Sequence, residues 1–358
     1  MAIYLVSAFS YLFIGRLLHS NQHKKFMAWS LFVLSFLMFA FRDQHVGVDT
    51  PVYCGAYRSI AKASWNKISL YRYEVGFSAF CKLLSYITKE PQFLLAISGL
   101  IICGAISRFI YKYSCDIAIS GYLWILLCMP DAMNIMRGYL AFAFLTFAID
   151  ALVEDKKLKF ILFVLIAASF HTVAFSAFIL LLIPINTDES YKIRLMKWIP
   201  LILGAFIFYS VIFKVVVVLF PQYLYYQTSV WGSSNFFGSF LNVLTYGLLW
   251  LIGSLFMRKD RNDGIEIERT KGTLFCCMGI ATLCCFLTVQ MKIFNRLAVL
   301  FTPMYMIWTP LFLRDISNVK VQKILRLCIE IAVLIVFLTI AYFRPEWSGA
   351  FPYRFMKF

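Results

Sequence analysis

The chain has 358 residues, of which 61% are hydrophobic and 15% charged, and its mean hydropathy is +0.78. A soluble domain is about half apolar and about a quarter charged, so this composition excludes an ordinary soluble protein and makes lipid the expected solvent. The net charge of +16 lies mainly in short loops between apolar runs, which is typical of membrane topology and does not indicate a nucleic-acid partner.

Apolar runs follow one another along the chain, and most are close to the ~20 residues that a helix needs to cross a bilayer. None shows the alternating pattern of an outer-membrane barrel. We predict an all-α polytopic membrane protein, a single domain over residues 1–358 with about 11–13 transmembrane or re-entrant helices. The runs are 2–18, 26–41, 73–88, 92–111, 117–130, 134–153, 159–184, 198–220, 238–257, 272–290, 295–313 and 324–343.

The basic loops predict the orientation of these helices, because Lys and Arg concentrate on the cytoplasmic side. A consistent topology requires that run 73–88 lies at the outer surface and that run 159–184 is two short helices meeting at the outer face. Segments 42–72 and 221–237 then form periplasmic loops, the second rich in aromatic residues. The predicted cytoplasmic loops are 16–25, 154–159, 186–197, 258–271 and 314–326.

The segment after the second run carries the first candidate site residues. Arg42 could hold an anionic group, while Asp49 or His45 could accept a proton. Gly47 permits a tight turn. The alternative is a solvated loop in which Asp49 and Pro51 start a helix. The residues alone do not decide between the two.

Polar residues also mark the run that begins near residue 134. Asp131, Asn134 and Arg137 are spaced three apart, which predicts one stripe on a helix that continues to Asp150. An arginine inside an apolar helix is costly unless it is paired or lines a wet cavity. Arg137 is therefore a functional candidate, with interfacial snorkelling as the alternative.

Lys292, Asn295 and Arg296 repeat this spacing at the outer end of a later run. Two arginines that converge on one cleft suit a diphosphate, because guanidinium groups bind phosphate oxygens in pairs and stay charged. Interfacial anchoring explains this second stripe equally well.

A histidine and several aromatic residues complete the candidates. His171 lies between two apolar half-helices and could act as a general base, although a structural role is the commoner one for a histidine in such a context. Tyr53 and Trp231 represent the aromatic residues of the two outer segments, which could stack on sugars or simply form an interfacial belt.

Four motifs together resemble the EpsG-like branch of the Wzy-type polysaccharide polymerases of bacteria. They occur in the family's order over roughly residues 40–185, and the second half of the chain resembles the family only in hydropathy and length. Arg137 is followed by Gly138 and Tyr139 where the family would have a polar residue. The motifs are Arg42 with Val46-Gly47-Val48-Asp49 and Tyr53, Tyr73-Glu74-Val75-Gly76-Phe77, Met136-Arg137-Gly138, and Ala167-Ala168-Ser169-Phe170-His171.

The resemblance implies a GT-C-type membrane glycosyltransferase architecture in the bacterial inner membrane. It also implies transfer of a growing glycan from undecaprenyl diphosphate to another lipid-linked repeat unit at the periplasmic face, without metal, nucleotide sugar or other cofactor. A chain-length regulator is a further expected partner. The candidate bases are His171, Asp49 and then Glu74; the candidate diphosphate ligands are Arg42, Arg137, Arg296 and Lys292; the candidate glycan contacts are Tyr53, Asn134, Asn295 and Trp231.

Three other functions remain open on the sequence alone. An O-antigen ligase would use the same donor with a different acceptor. A lipid-linked oligosaccharide flippase would place its polar residues near the bilayer midplane and often shows inverted repeats. A membrane O-acyltransferase would use the buried histidine but would leave the arginines unexplained.

Overall fold

The computed structural model describes residues 1–18, 22–185, 189–219, 221, 224, 236–259 and 264–356. The regular secondary structure in these residues is helical. The helices are α1 (Ala2–Leu17), α2 (Lys24–Ala40), α3 (Thr50–Lys62), α4 (Val75–Leu84), α5 (Pro91–Tyr113), α6 (Ile117–Asn134), α7 (Met136–Val153), α8 (Lys157–Phe170), α9 (Tyr191–Ile207), α10 (Tyr209–Leu219), α11 (Phe236–Phe256), α12 (Ile265–Gln290), α13 (Lys292–Arg314) and α14 (Val319–Phe343), with 3-10 helices at Trp65–Leu70, Thr172–Leu181 and Pro345–Trp347.

Seven helices of the described residues are long and apolar enough to cross a membrane, namely α5, α6, α7, α11, α12, α13 and α14. The pair α9 and α10 would make an eighth span if it crosses as one unit, and it bends by 76° at its break. The prediction of an all-α polytopic membrane protein is confirmed.

Runs 73–88 and 159–184, which were predicted not to form single spanning helices, are short or broken in the structure. Helix α4 has ten residues, so its length of about 15 Å is half of what a bilayer core requires. The run 159–184 breaks at His171, where α8 ends and the 3-10 helix Thr172–Leu181 begins.

The predicted stripe of Asp131, Asn134 and Arg137 on one helix is wrong. Helix α6 ends at Asn134, and Ile135 has φ −90° and ψ 53°, outside the helical region. Arg137 therefore lies in the first turn of α7. The sequence hides the break because neither Gly nor Pro lies beside Ile135.

The predicted loops also contain helices. Segment 42–72 contains α3, in which Pro51 occupies the first turn as expected. Helix α12 begins at Ile265, so the end of the predicted basic loop 258–271 is helical.

The chain divides into two compact units, which the sequence analysis treats as one domain. Unit 1 comprises Met1–Phe178 and Arg326–Phe358, and unit 2 comprises Ile179–Leu325. In unit 2, α12 is buried along most of its length, and Trp308 donates to the carbonyl of Leu249 at 2.9 Å.

A C-terminal segment fastens the loop between α2 and α3 within unit 1. The backbone N–H of Asp43 donates to the carbonyl of Arg354 at 2.9 Å, and that of Gly47 donates to the carbonyl of Gly349 at 2.8 Å. Gly47 has φ 104°, so the turn requires glycine there. The C-terminal segment thus holds the loop that leads into α3 at both Asp43 and Gly47.

Candidate active site

The site is built around the carboxylate of Glu74, the residue before α4. Helix α4 packs against α8, and they approach closely because Gly76 has no side chain: a Cβ there would lie 2.3 Å from Oγ of Ser169. This contact brings Glu74 to the break after α8. His171 and Thr172 lie at that break.

Four hydrogen-bond donors converge on Glu74. Its Oε1 accepts from the backbone N–H of Thr172 at 3.0 Å, from Oγ1 of Thr172 at 2.9 Å and from Nδ1 of His171 at 3.2 Å. Its Oε2 accepts from the guanidinium of Arg137. The three charged or titratable side chains are 17–18% exposed.

These contacts determine the protonation state of Glu74, which lies outside the seven candidate spans. Burial by itself raises the pKa of the carboxyl group, but the hydrogen bond from His171, the charge of Arg137 and the N–H of Thr172 outweigh burial and lower the pKa to about 2. An ionised carboxylate can only accept, so the Nδ1 of His171 must donate to it. The lone pair of a neutral His171 is therefore on Nε2.

Arg137 packs on aromatic rings as well as on Glu74. The carbon at the centre of its guanidinium lies 4.7 Å from the ring centroid of Tyr73 and 5.8 Å from the centroids of Tyr53 and Phe77. Among the described residues, no group accepts a hydrogen bond from its buried Nε. Arg137 thus has a fixed position.

Arg72 is a second cation at this site, and the sequence analysis missed it. Its side chain donates to the hydroxyl of Tyr73 at 3.1 Å, and its guanidinium carbon lies 5.1 Å from the same ring. Tyr73 therefore contacts both guanidinium groups. In the sequence, only its position next to the Tyr73-Glu74 motif indicates that Arg72 belongs to the site. An exposed arginine in a polar segment does not stand out by itself.

Asp49, Asn134 and Tyr53 lie around the start of α3. Asp49 is partly exposed, and its N–H donates to the side-chain oxygen of Asn134 at 2.9 Å. The amide nitrogen of Asn134 donates to the carbonyl of Trp347 at 3.3 Å. Tyr53 is 4% exposed. Asn134 joins three segments, and Tyr53 supports Arg137, so we assign both to the scaffold of the site and not to glycan contact.

Arg42 lies beneath the surface of unit 1. Its side chain is 0% exposed, and its terminal nitrogens donate to the carbonyls of Phe39 and Met133, both at 3.3 Å. Burial lowers the pKa of Arg42 to about 10, which leaves it charged at neutral pH. With no surface exposed, it offers a substrate nothing to contact, and we assign Arg42 to the support of the α2–α3 loop instead of the predicted diphosphate clamp.

The remaining predicted residues belong to unit 2 or lie outside the described residues. Lys292, Asn295 and Arg296 begin α13, and each is partly buried. The side-chain oxygen of Asn295 accepts from the amide of Asn242 at 3.3 Å. Trp231 lies outside the described residues, together with most of segment 221–237. The predicted roles of these four residues stay predictions.

Within the described part of the chain, no three His, Cys, Asp or Glu side chains are grouped so that they could hold a metal ion. The chemistry that this site can perform with its own groups is proton transfer at His171 and charge stabilisation at Arg137 and Arg72.

Comparison with known proteins gives one decisive match. The family model of the EpsG family matches residues 4–355. The chain belongs to the EpsG family. The match extends through unit 2, where the sequence motifs did not reach, and it supports a polysaccharide polymerase-like role in a multi-pass membrane protein. No curated protein and no solved structure matches the chain.

Proposed function

We propose that this EpsG-family protein is a bacterial polysaccharide polymerase of the inner membrane. It transfers a glycan from undecaprenyl diphosphate to the non-reducing end of another lipid-linked repeat unit at the periplasmic face, and its product is an O-antigen, capsular or extracellular polysaccharide. The observation that carries the proposal is the convergence of His171 and Arg137 on the ionised carboxylate of Glu74.

His171 is the proposed general base. Its Nε2 takes the proton of the acceptor hydroxyl while that oxygen forms a bond to the anomeric carbon of the donor. The bond from the anomeric carbon to the diphosphate oxygen breaks, and its electron pair leaves with undecaprenyl diphosphate. Glu74 stabilises the imidazolium that forms, as the third member of a hydrogen-bonded triad does. With a pKa of about 2, Glu74 itself is too weak a base for this step.

Arg137 and Arg72 are the proposed diphosphate ligands of unit 1. Charge develops on the leaving diphosphate, and fixed cations that face it lower the barrier. Arg137 is held by Glu74 and Tyr73 before substrate arrives, so little reorganisation is needed. Arg72 is more exposed and neutralises charge at the rim.

Asp49, Arg296 and Lys292 keep their predicted parts in the proposal. Asp49 is the second candidate base, and its partial exposure leaves it open to substrate. Arg296 and Lys292 of unit 2 are further candidates for the diphosphate, and Asn295 and Trp231 for the glycan. Single substitutions of each, assayed for polymer length, test these assignments one at a time.

The function itself is tested by incubating the purified protein with undecaprenyl-diphosphate repeat units. We expect lipid-linked dimers and longer products. A ligase would give none of these without a separate acceptor, and a flippase would give none at all. Absence of any elongated product from folded protein would contradict the proposal.

A further inference from the structure

A groove lies between α2 and α5 at the end of unit 1 opposite the candidate active site. Its Arg108 pairs with Asp150, which lies thirteen residues after Arg137 on α7. A helix rises 1.5 Å per residue, so Arg137 and Asp150 are about 20 Å apart along the axis. The groove has a volume of about 340 Å³, and the proposed glycan chemistry makes no use of it.

The walls of the groove are apolar. Trp29 and Phe32 face it from α2, and Tyr111 faces it from α5. Gly104 forms the floor, where a Cβ would meet one atom of Phe32, at 3.8 Å. The side chain of Trp29 is 59% exposed, so the groove opens from the side of the bundle. For helices in a bilayer, that side faces lipid chains.

One end of the groove is basic. Lys25 at the start of α2 and Arg108 near the end of α5 are among its lining residues, as is Ser107. The hydroxyl of Ser107 and one terminal nitrogen of Arg108 are buried, and within the described residues neither has a hydrogen-bond partner. The ammonium of Lys24 lies 5.6 Å from the ring centroid of Tyr111.

The local charge remains positive after the ion pairs are formed. Asp150 pairs with Arg108 and Lys112, and Glu154 pairs with Lys112 and Lys156, whereas no carboxylate of the described residues pairs with Lys24 or Lys25. Segments 16–25 and 154–159, which precede α2 and follow α7 in the chain, are two of the five loops whose Lys and Arg content predicts a cytoplasmic position. Anionic phospholipids attract such residues at that surface.

We propose that this groove binds an anionic phospholipid of the membrane. An acyl chain lies along Phe32 and Gly104, and the phosphate pairs with Lys25 at the basic end of the groove. An apolar trough whose basic end carries lysines that pair with no carboxylate of the described residues is complementary to that class of lipid in both shape and charge. The inference is independent of the proposed polymerase activity.

Two pairs of variants test the groove. Gly104→Leu fills its floor, and Gly204→Leu is the matched control, because a Cβ at Gly204 on α9 meets no heavy atom within 4 Å. Lys25→Gln removes a cation from the rim. Lys157→Gln makes the same charge change at an exposed position outside the groove, in the first turn of α8.

Native mass spectrometry of the purified protein, titrated with phosphatidylglycerol or with phosphatidylcholine of the same chains, measures the binding. We expect tighter binding of phosphatidylglycerol and its loss in Gly104→Leu but not in Gly204→Leu. Lys25→Gln should weaken the binding of phosphatidylglycerol about fivefold, since one cation near a charged surface contributes about 1 kcal/mol to binding. The proposal is overturned if the two lipids bind equally well, or if the two variants of either pair change phosphatidylglycerol binding to the same extent. If Gly104→Leu does not fold, the comparison of Lys25→Gln with Lys157→Gln decides.

Discussion

Among the described residues of unit 1, two histidines contact a carboxylate through Nδ1, and the two pairs differ in their surroundings. His45 and Asp43 contact through Nδ1 and Oδ1 at 2.8 Å, and His171 and Glu74 contact through Nδ1 and Oε1 at 3.2 Å. The side chain of His45 is 78% exposed, whereas that of His171 is 17% exposed. The first pair is the shorter one, yet the second is the candidate active site.

The difference shows that the surroundings decide what such a pair can do. Asp43 and His45 are two residues apart, and their contact is a local turn in water, where ion pairs contribute little. Glu74 and His171 are brought together by the packing of α4 on α8. Arg137 and Thr172 complete the coordination of Glu74, and this fixes the proton of His171 on Nδ1.

Removal of Arg137 should have a large effect, because it deletes the cation that pairs directly with the carboxylate of Glu74. We expect Arg137→Ala to abolish long glycan chains in cells while the protein remains inserted in the membrane. Loss of one charge-stabilising group alone costs about 10²–10³ in rate. The exposed arginine of α3 gives the control, Arg58→Ala. A normal ladder of long chains in Arg137→Ala cells would contradict the account.

Replacement of the two carboxylates compares the pairs directly. Glu74→Gln can present either its oxygen or its nitrogen to His171, so the tautomer is no longer fixed. We expect kcat to fall by about 10²-fold or more, in line with the size of general-base effects, and Asp43→Asn to leave kcat unchanged. Similar kcat values for the two variants in a polymerisation assay would remove the distinction between the pairs.

The same two variants make a prediction about stability and pH. The folded-state pKa of Glu74 is about 2 and its ordinary value is 4.5, so the ionised group stabilises the protein above pH 4.5 and the stabilisation is lost as the pH falls toward 2. At 1.36 kcal/mol per pKa unit the contribution at pH 7 is about 3 kcal/mol.

Thermal unfolding in detergent between pH 7 and pH 3 measures this contribution. Glu74→Gln should be less stable than the wild type at pH 7, and the two should converge as the pH falls below 4.5. Asp43→Asn should differ from the wild type by less than about 1 kcal/mol throughout. If the difference in stability between Glu74→Gln and the wild type stays constant down to pH 3, the carboxylate charge is not what stabilises the site.

Arg72 should give the smallest effect, because it is exposed and contacts the site through Tyr73. We expect Arg72→Gln to raise KM for the lipid-linked substrate by about 5- to 10-fold, which corresponds to about 1–1.4 kcal/mol of binding. The value of kcat should change little. Arg58→Gln is the control, and an equal change in KM for both variants would mean that Arg72 acts only through the overall charge.

The sequence is sufficient for the fold class and for the three central residues. Long apolar runs predict spanning helices, and the polar break at His171 is visible because Ser, His and Thr interrupt an apolar segment. Arg137 and His171 stand out as polar residues in apolar runs, and Glu74 is indicated by the resemblance to the family. Their convergence is not visible in the sequence, since it depends on the close approach of Gly76 to Ser169 in the folded chain.

Other features depend on packing that no sequence pattern records. Neither Gly nor Pro marks the break at Ile135, so the helix pattern continues through it, and Asp131 and Asn134 were joined to the helix of Arg137. Arg42 has the composition of a phosphate ligand, but two backbone carbonyls and the ring of Phe39 take up its guanidinium. Arg72 is identified as a residue of the site only by its contact with Tyr73 in the structure.

The central claim is that His171, held by Glu74, is the base. The most direct test uses purified wild type, His171→Gln and His45→Gln with undecaprenyl-diphosphate repeat units, in single-turnover assays of dimer formation. The account predicts that His171→Gln slows dimer formation by about 10²–10⁴-fold and that His45→Gln reacts at the wild-type rate. Wild-type rates for His171→Gln would contradict it.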